Sequence, residues 1–260
     1  GKSRRPAVCR RPASAVLRRR PAGARTPGYG ARRYWEARYA SLAAGAGSRG
    51  ETDEWLLDFQ QLEGLLPRPR TASFLDLGCG VSAFLKDLRA RGARGRLVGI
   101  DYAPSAVALC KRTRAAEGIE YFRMDARRMT FPDESFDVVL DKATLDGQLC
   151  GRGAAAAACR EVGRVLRPGG AYILVTWRGP TRAGGLSWLL DVVLPALRER
   201  SGGHRWRVDV HSFADGEDDA KMEGEGKCDY GRLPNVFVIS KSRSTTGSSA
   251  AEVPIRQHTH

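Results

Sequence analysis

The chain has 260 residues, 42% of them hydrophobic, and a formal net charge of +14. That length holds one α/β domain with room for tails, and no apolar run approaches the about eighteen residues that cross a bilayer, so no membrane partner is expected. Eleven Lys or Arg and no Asp or Glu lie in residues 1–33; removing them from the total leaves about +3 for everything after. A basic surface for nucleic acid would therefore have to be the tail, which is Arg, Ala, Pro and Gly with little to fold, and nucleic acid is not the expected partner.

Taken in chain order, residues 1–33 read as a basic disordered tail or an organelle transit peptide. The expected address is mitochondrial, with a cytoplasmic protein as the alternative. "RYWEARYASL" follows, then a Gly/Ala/Ser-rich break at 43–50. In "EWLLDFQQLEGLL" the residues Trp55, Phe59, Leu62 and Leu66 are spaced as one helical face, which Pro67 and Pro69 close.

From residue 73 the pattern alternates. "SFLDLG", "RLVGID", "IEYFRMD", "FDVVLDKAT" and "AYILVTW" predict five strands. Between them "AFLKDLRARG", "PSAVALCKRTRAAEG" and "AAAAACREVGRVLRPGG" predict helices, the first stopped by Gly92, the second opened by Pro104, the third capped by Pro168, Gly169 and Gly170. Such alternation implies a parallel sheet with helices on both faces. "LSWLLDVVLPALRER" predicts a helix kinked at Pro195. "HRWRVDV" and "NVFVIS" predict two more strands around an acidic loop at 215–227. The folded domain is expected over 34–241, with a disordered tail over 242–260.

The six cysteines (Cys9, Cys79, Cys110, Cys150, Cys159 and Cys228) contain no CxxC pair and suit a reducing compartment. His204, His211, His258 and His260 are not spaced as ligands, so no metal is expected.

"FLDLGCGVS" carries the chemistry. In an open parallel sheet, ligands bind outside the C-terminal ends of the strands, where this loop lies. Gly78 and Gly80 let the backbone turn tightly and approach a ligand. "GCGVSA" with Asp101 about twenty residues on also fits a dinucleotide fingerprint. The acids favour S-adenosyl-L-methionine. Asp76, Asp101, Asp125 and Asp141 end four strands in turn. Such a ring of carboxylates suits a cation-bearing nucleoside and would repel a pyrophosphate. On this reading Asp76 faces the cationic amino-acid end, Asp101 the ribose hydroxyls, Tyr102 the adenine, and Asp125 the adenine amino group.

"FLDLGCG", "GIDYAPSAV", "RMDARRMTFPDESFDVVLDKATLD" and "EVGRVLRPGGAYILVT" together resemble the successive motifs of class I seven-stranded methyltransferases, over about residues 34–178. "DVVLDKATLDGQL" resembles the D-K-G-T-L-D segment of the methyltransferase-like 13 group of protein-lysine methyltransferases, with Ala143 in place of the usual glycine. That group includes enzymes acting on elongation factor 1-alpha and on citrate synthase. The resemblance implies a Rossmann-like α/β sheet of order 3-2-1-4-5-7-6 with strand seven antiparallel. It implies cofactor contacts from Asp76, Gly78, Cys79, Gly80, Asp101, Tyr102, Asp125, Ala126 and Asp141, and a protein partner presenting a target lysine.

Asp141, at the end of the fourth strand, is the expected catalytic residue, aiming the lysine amine. Lys142 reads as a surface ion pair and Asp146 as a helix cap, and a glycine-to-alanine change at 143 reads as minor. Trp35, Tyr39, Trp55 and Phe59 read first as packing, second as a lid or aromatic wall. A small-molecule methyltransferase of the same fold is the alternative function.

Overall fold

In a computed structural model the described residues are 28–45, 54–66, 70–114, 117–149, 153–180, 185–200, 203–212, 234–243 and 253–259. The expectations for residues 1–27, for Pro67 and Pro69, for the acidic loop at 215–227, and for Cys9, Cys150 and Cys228 lie outside them.

Eight strands form one sheet: β1 (Phe74–Leu77), β2 (Leu97–Asp101), β3 (Ile119–Arg123), β4 (Phe136–Lys142), β5 (Leu166–Thr176), β6 (Arg205–Ser212), β7 (Asn235–Ser242) and β8 (Ile255–Thr259). Their order is β3-β2-β1-β4-β5-β7-β6-β8. β7 runs antiparallel to both β5 and β6, and every other pairing is parallel. This is the expected Rossmann-like sheet with one strand more. The extra strand departs from the expectation of a disordered tail over 242–260 at Ile255–Thr259, while residues 244–252 and 260 lie outside the described ones. Ile255–Thr259 pairs with the outer edge of β6, from Val208↔Ile255 to Ser212↔Thr259, and the His211 and His258 rings stack at 4.7 Å. An open edge leaves backbone donors and acceptors unpaired, and this segment satisfies them.

The helices are α1 (Arg32–Ala43), α2 (Phe59–Leu62), α3 (Phe84–Ala90), α4 (Pro104–Thr113), α5 (Thr144–Leu149), α6 (Ala154–Val165) and α7 (Leu194–Glu199). Three depart from expectation. The long helix from Trp55 to Leu66 is instead a four-residue α2 followed by a 3₁₀ turn over Glu63–Leu65. Leu56 sits at φ 65°, and Asp58 and Gln61 form a reciprocal capping box at 3.0 Å that starts the helix only at Phe59. Its apolar face still reaches the core: Phe59, Leu62 and Leu66 are buried.

α6 ends at Val165 and β5 begins at once, so Pro168, Gly169 and Gly170 do not cap the helix. They lie in a bulge between the pairs Phe136↔Leu166 and Val138↔Ala171, where Gly169 takes φ 91°. Ahead of Pro195 the chain widens into a π-helical segment, Trp188–Val193, and α7 starts over with the proline in its first turn. Proline has no N–H to continue the ladder, and the wider turn absorbs the gap.

Apolar residues of the sheet divide by parity. Phe74, Leu97, Val138, Leu140, Ile173 and Val175 pack with the side chains of α1 to α4. Leu75, Leu77, Val98, Ile100, Val139 and Leu174 pack with those of α6 and α7. This alternation decides which acidic residues reach the ligand side.

Candidate active site

A cavity of about 520 Å³ opens where β1, β2 and β4 end. The loop after β1 makes its floor. Gly78 and Gly80 take φ 66° and 49°. A Cβ on Gly78 would lie 2.1 Å from the Thr144 hydroxyl oxygen, and one on Gly80 would lie 2.5 Å from that of Tyr39. Both glycines are thus required twice, for their torsions and for the space. The turn is tied to β2 by the Cys79 N–H donating to the Ile100 carbonyl at 2.9 Å and the Gly80 N–H donating to Asp101 Oδ2 at 3.0 Å. Cys79 is buried, its Sγ 3.7 Å from the Gly80 carbonyl oxygen, and hydrogen bonding with Cys110 and burial push its thiol up.

Asp76 is 2% exposed and lines the cavity. Its carboxylate accepts no hydrogen bond from the described residues. Burial raises it to about 7, against the nearby Lys142 charge. Asp101 is also buried on the wall, and its Oδ1 accepts from the Ala103 N–H at 2.8 Å. Burial lifts it to about 6, and the two backbone donors hold it back. Tyr102 lies on the rim with the Arg32 guanidinium 5.8 Å from its ring centre, and burial pushes its phenol up to about 12. Ala126 lines the wall. Asp125 lines it too, but its carboxylate is clasped by Arg127 at 2.6 Å, which holds it below the usual carboxylate range.

Asp141 is placed otherwise than expected. β1 and β4 pair in parallel with Asp76↔Leu140 and Leu77↔Asp141. Asp76 therefore shares a face with Leu140 and Lys142, and Asp141 turns to the opposite face. It is 1% exposed and absent from the cavity wall. Its Oδ1 accepts from the N–H groups of Thr144 and Leu145 at 2.9 and 3.1 Å, and its Oδ2 from the Tyr172 hydroxyl at 3.1 Å. It holds the start of α5 rather than touching a substrate.

Lys142 corrects the opposite expectation. Its side chain is 5% exposed, on the cavity wall, and is no surface ion pair. Nζ donates to Glu54 Oε2 at 2.5 Å, to Ser82 Oγ at 3.1 Å and to the Leu57 carbonyl at 3.3 Å. Glu54 also accepts from the Ser82 hydroxyl at 2.9 Å and from the Ala83 N–H. Asp146, expected as a cap, instead accepts from the Thr176 hydroxyl at 2.9 Å. Ala143 takes φ 64°, where glycine is at ease and alanine is strained, so that replacement is not minor. Glu54, Ser82 and Lys142 were missed as a group. Parity along "DVVLDK" would have separated Lys142 from Asp141, but Glu54 is 88 residues away and left no signal.

Tyr29, Trp35, Tyr39 and Trp55 also line the cavity. Trp35 and Trp55 meet at 5.2 Å between ring centres, Trp35 and Tyr39 stack at 5.9 Å, and the Trp35 indole N–H donates to the Tyr29 carbonyl at 2.6 Å. The second reading of these residues, a wall of the cavity, is where the structure places them; Phe59 packs inside against Phe84.

A family described as methyltransferase domain matches residues 75–174. That match runs from β1 into β5 and includes the glycine turn, Asp76 and Asp101. Among curated proteins, EEF1A lysine methyltransferase 4 of Mus musculus is 35% identical over 164 residues, covering 56% of this chain and 61% of that one. The eEF1A lysine and N-terminal methyltransferase of Homo sapiens is 29% identical over 211 residues, covering 75% of this chain and 27% of that one. The chain thus spans about three fifths of the first relative and about a quarter of the second. A chain from the complex of the Haloferax volcanii Trm112 methyltransferase activator with a methyltransferase superposes with a TM-score of 0.56 at 17% identity, over 84% of this chain and 100% of that one. An S-adenosylmethionine-dependent methyltransferase from Aquifex aeolicus gives 0.51 at 16%, over 79% and 97%. These two likenesses concern the fold.

S-adenosylmethionine is the cofactor expected from the sequence. The residues fit it: Asp76, a buried carboxylate with no donor among the described residues, lines the cavity, and the glycine turn leaves room that a side chain would fill. Among the described residues no helix is long and apolar enough to cross a membrane.

Proposed function

We propose that the chain is a protein-lysine N-methyltransferase whose substrate is a lysine of elongation factor 1-alpha. The observation that carries this reading is one cavity lined both by the buried carboxylates Asp76 and Asp101 and by the aromatic rings of Tyr29, Trp35, Tyr39 and Trp55. Two relatives named for lysine methylation of this factor support the substrate class.

Asp76 would pair with the ammonium of the cofactor's amino-acid end, the Gly78–Gly80 backbone would lie against it, and Asp101 would take the ribose hydroxyls. Tyr102, Ala126 and Asp125 would border the adenine, with Arg127 releasing Asp125 or sharing it. When bound, S-adenosylmethionine supplies an electrophilic methyl on a sulfonium. What the chain contributes is alignment of nucleophile and methyl, worth several orders of magnitude in such reactions. The aromatic rings receive the apolar stem of the lysine and exclude water. A lysine amine with a reference pKa near about 10.4 must arrive neutral, and desolvation favours that form.

Transfer of labelled methyl from S-adenosylmethionine into a proteome extract fractionated into cytosol and organelles tests this, with Gly78→Arg as control. A single labelled cytosolic band that comigrates with elongation factor 1-alpha, and is lost with the control, is expected. Label only in low-mass products would overturn the lysine reading. A second reading rests on the Arg-rich, acid-free residues 1–33, which favour a mitochondrial address and citrate synthase as substrate. Label confined to the mitochondrial fraction would select it.

A further inference from the structure

Lys142 is the only lysine on the cavity wall among the described residues, yet its ammonium has no proton to offer a ligand. An ammonium carries three donors. Glu54, Ser82 and the Leu57 carbonyl take all three, at 2.5, 3.1 and 3.3 Å. Asp76, lining the same cavity, has no donor among the described residues. The saturated cation and the unpartnered anion lie on one face of the sheet, since Asp76 pairs in register with Leu140, two residues before Lys142.

We propose that Lys142 is a positioning residue for the cofactor: fastened by Glu54, Ser82 and Leu57, it holds the Glu54–Leu57 segment with Trp55 against the cavity and keeps its charge beside the Asp76 carboxylate. Three fixed charges then meet there. With Asp76 ionised, Asp76 and Glu54 are negative and Lys142 is positive, so the group carries one net negative charge toward a ligand ammonium. Removing Lys142 leaves the buried Asp76 and the exposed Glu54 with Arg114 as the remaining cation among the groups that act on Asp76, and the carboxylate with no hydrogen bonds takes up a proton. Removing the charge of Glu54 does the opposite. The direction of each nearby influence agrees: Lys142 lowers Asp76 and Glu54 raises it. Asp101 from β2 raises it and Arg114 beyond α4 lowers it. Behind these lie the Cys79 and Cys110 thiols and the Tyr121 phenol, each of which senses Asp76.

The inference rests on the cofactor alone and holds whatever substrate is methylated. Its test is calorimetric titration of the full chain with S-adenosylmethionine from about pH 5.5 to 8.5, for the parent protein, Lys142→Met, Lys142→Arg and Glu54→Gln. The ligand's own amine titrates alike in all four, so differences between them report the protein. In Lys142→Met the pH at which affinity is half-maximal rises by about one unit, affinity at pH 7 falls about fivefold, and alkaline pH recovers it. Lys142→Arg keeps the parent midpoint. Glu54→Gln moves the midpoint to lower pH, while cofactor-dependent fluorescence of Trp55, read against Trp55→Phe, diminishes. Thermal melts at each pH follow the fold separately. Midpoints that move in the same direction, or not at all, overturn the proposal, as does affinity lost equally at every pH. Should Lys142→Met not fold, the acid shift of Glu54→Gln alone decides.

Discussion

Asp76 and Asp141 sit on neighbouring strands, are 2% and 1% exposed, and are both raised by burial to about 7. By burial and titration they are twins, but their partners differ. Asp141 accepts three hydrogen bonds, two from the start of α5 and one from Tyr172. Asp76 accepts none from the described residues and faces the cavity. Of these two raised carboxyls, only Asp76 keeps its hydrogen-bonding capacity unspent. One of these residues is built into the fold, and the other is left for a ligand.

The largest expected effect breaks the ligand side outright. Gly78→Arg loses methyl transfer by more than about a hundredfold in a labelled-methyl assay, since a side chain there meets Thr144 and displaces the turn. Next comes the pair itself. Asp76→Asn weakens S-adenosylmethionine binding by about ten- to a hundredfold in calorimetry, as the loss of a buried charge pairing implies. Asp141→Asn keeps turnover near the parent value, because an amide oxygen still accepts from Thr144 and Leu145. Loss of turnover with unchanged cofactor binding in Asp141→Asn would return that residue to the chemistry.

The same pair separates in stability. A carboxyl whose folded pKa is raised contributes stability that is fully present below its unfolded value near 3.8 and lost as pH rises through about 7. The cofactor-free protein is therefore expected to lose stability between about pH 4 and pH 7 on account of Asp76. Asp76→Asn removes that loss and raises stability at pH 8 by about 1–3 kcal/mol in denaturant unfolding. Asp141→Ala lowers it by about 1–3 kcal/mol, because the α5 N–H groups and Tyr172 lose their acceptor. The smallest effect lies between them in the chain: Ala143→Gly relieves a φ of 64° and stabilises by about 1 kcal/mol. A fall in midpoint denaturant would show that the alanine methyl makes a contact worth more than the strain.

By itself the sequence determined the alternation of strands and helices, the order of the first seven strands through its family resemblance, and the glycine turn with Asp76 and Asp101. These are local: an apolar run, a periodicity or a torsion that only glycine adopts at ease is written within a few residues. The first turn of α2 was misread because Trp55, Phe59, Leu62 and Leu66 keep their spacing whether or not the chain between them is helical, and the Asp58–Gln61 box starts the helix later. β8 was missed because Ile255–Thr259 buries little, and only the open edge of β6 gives it a place.

What only the tertiary structure decided is which side of the sheet each acid faces and what reaches it from elsewhere in the chain. Asp141 and Lys142 are adjacent, so their strand sends them to opposite faces, and the register of β4 on β1 chooses which one joins Asp76. Glu54 comes to Lys142 across 88 residues. Parity and register are properties of paired strands, and a long-range ion pair exists only once the chain has folded around it. The sequence named the ligand side's carboxylates, and packing brought Lys142 to the face that Asp76 shares.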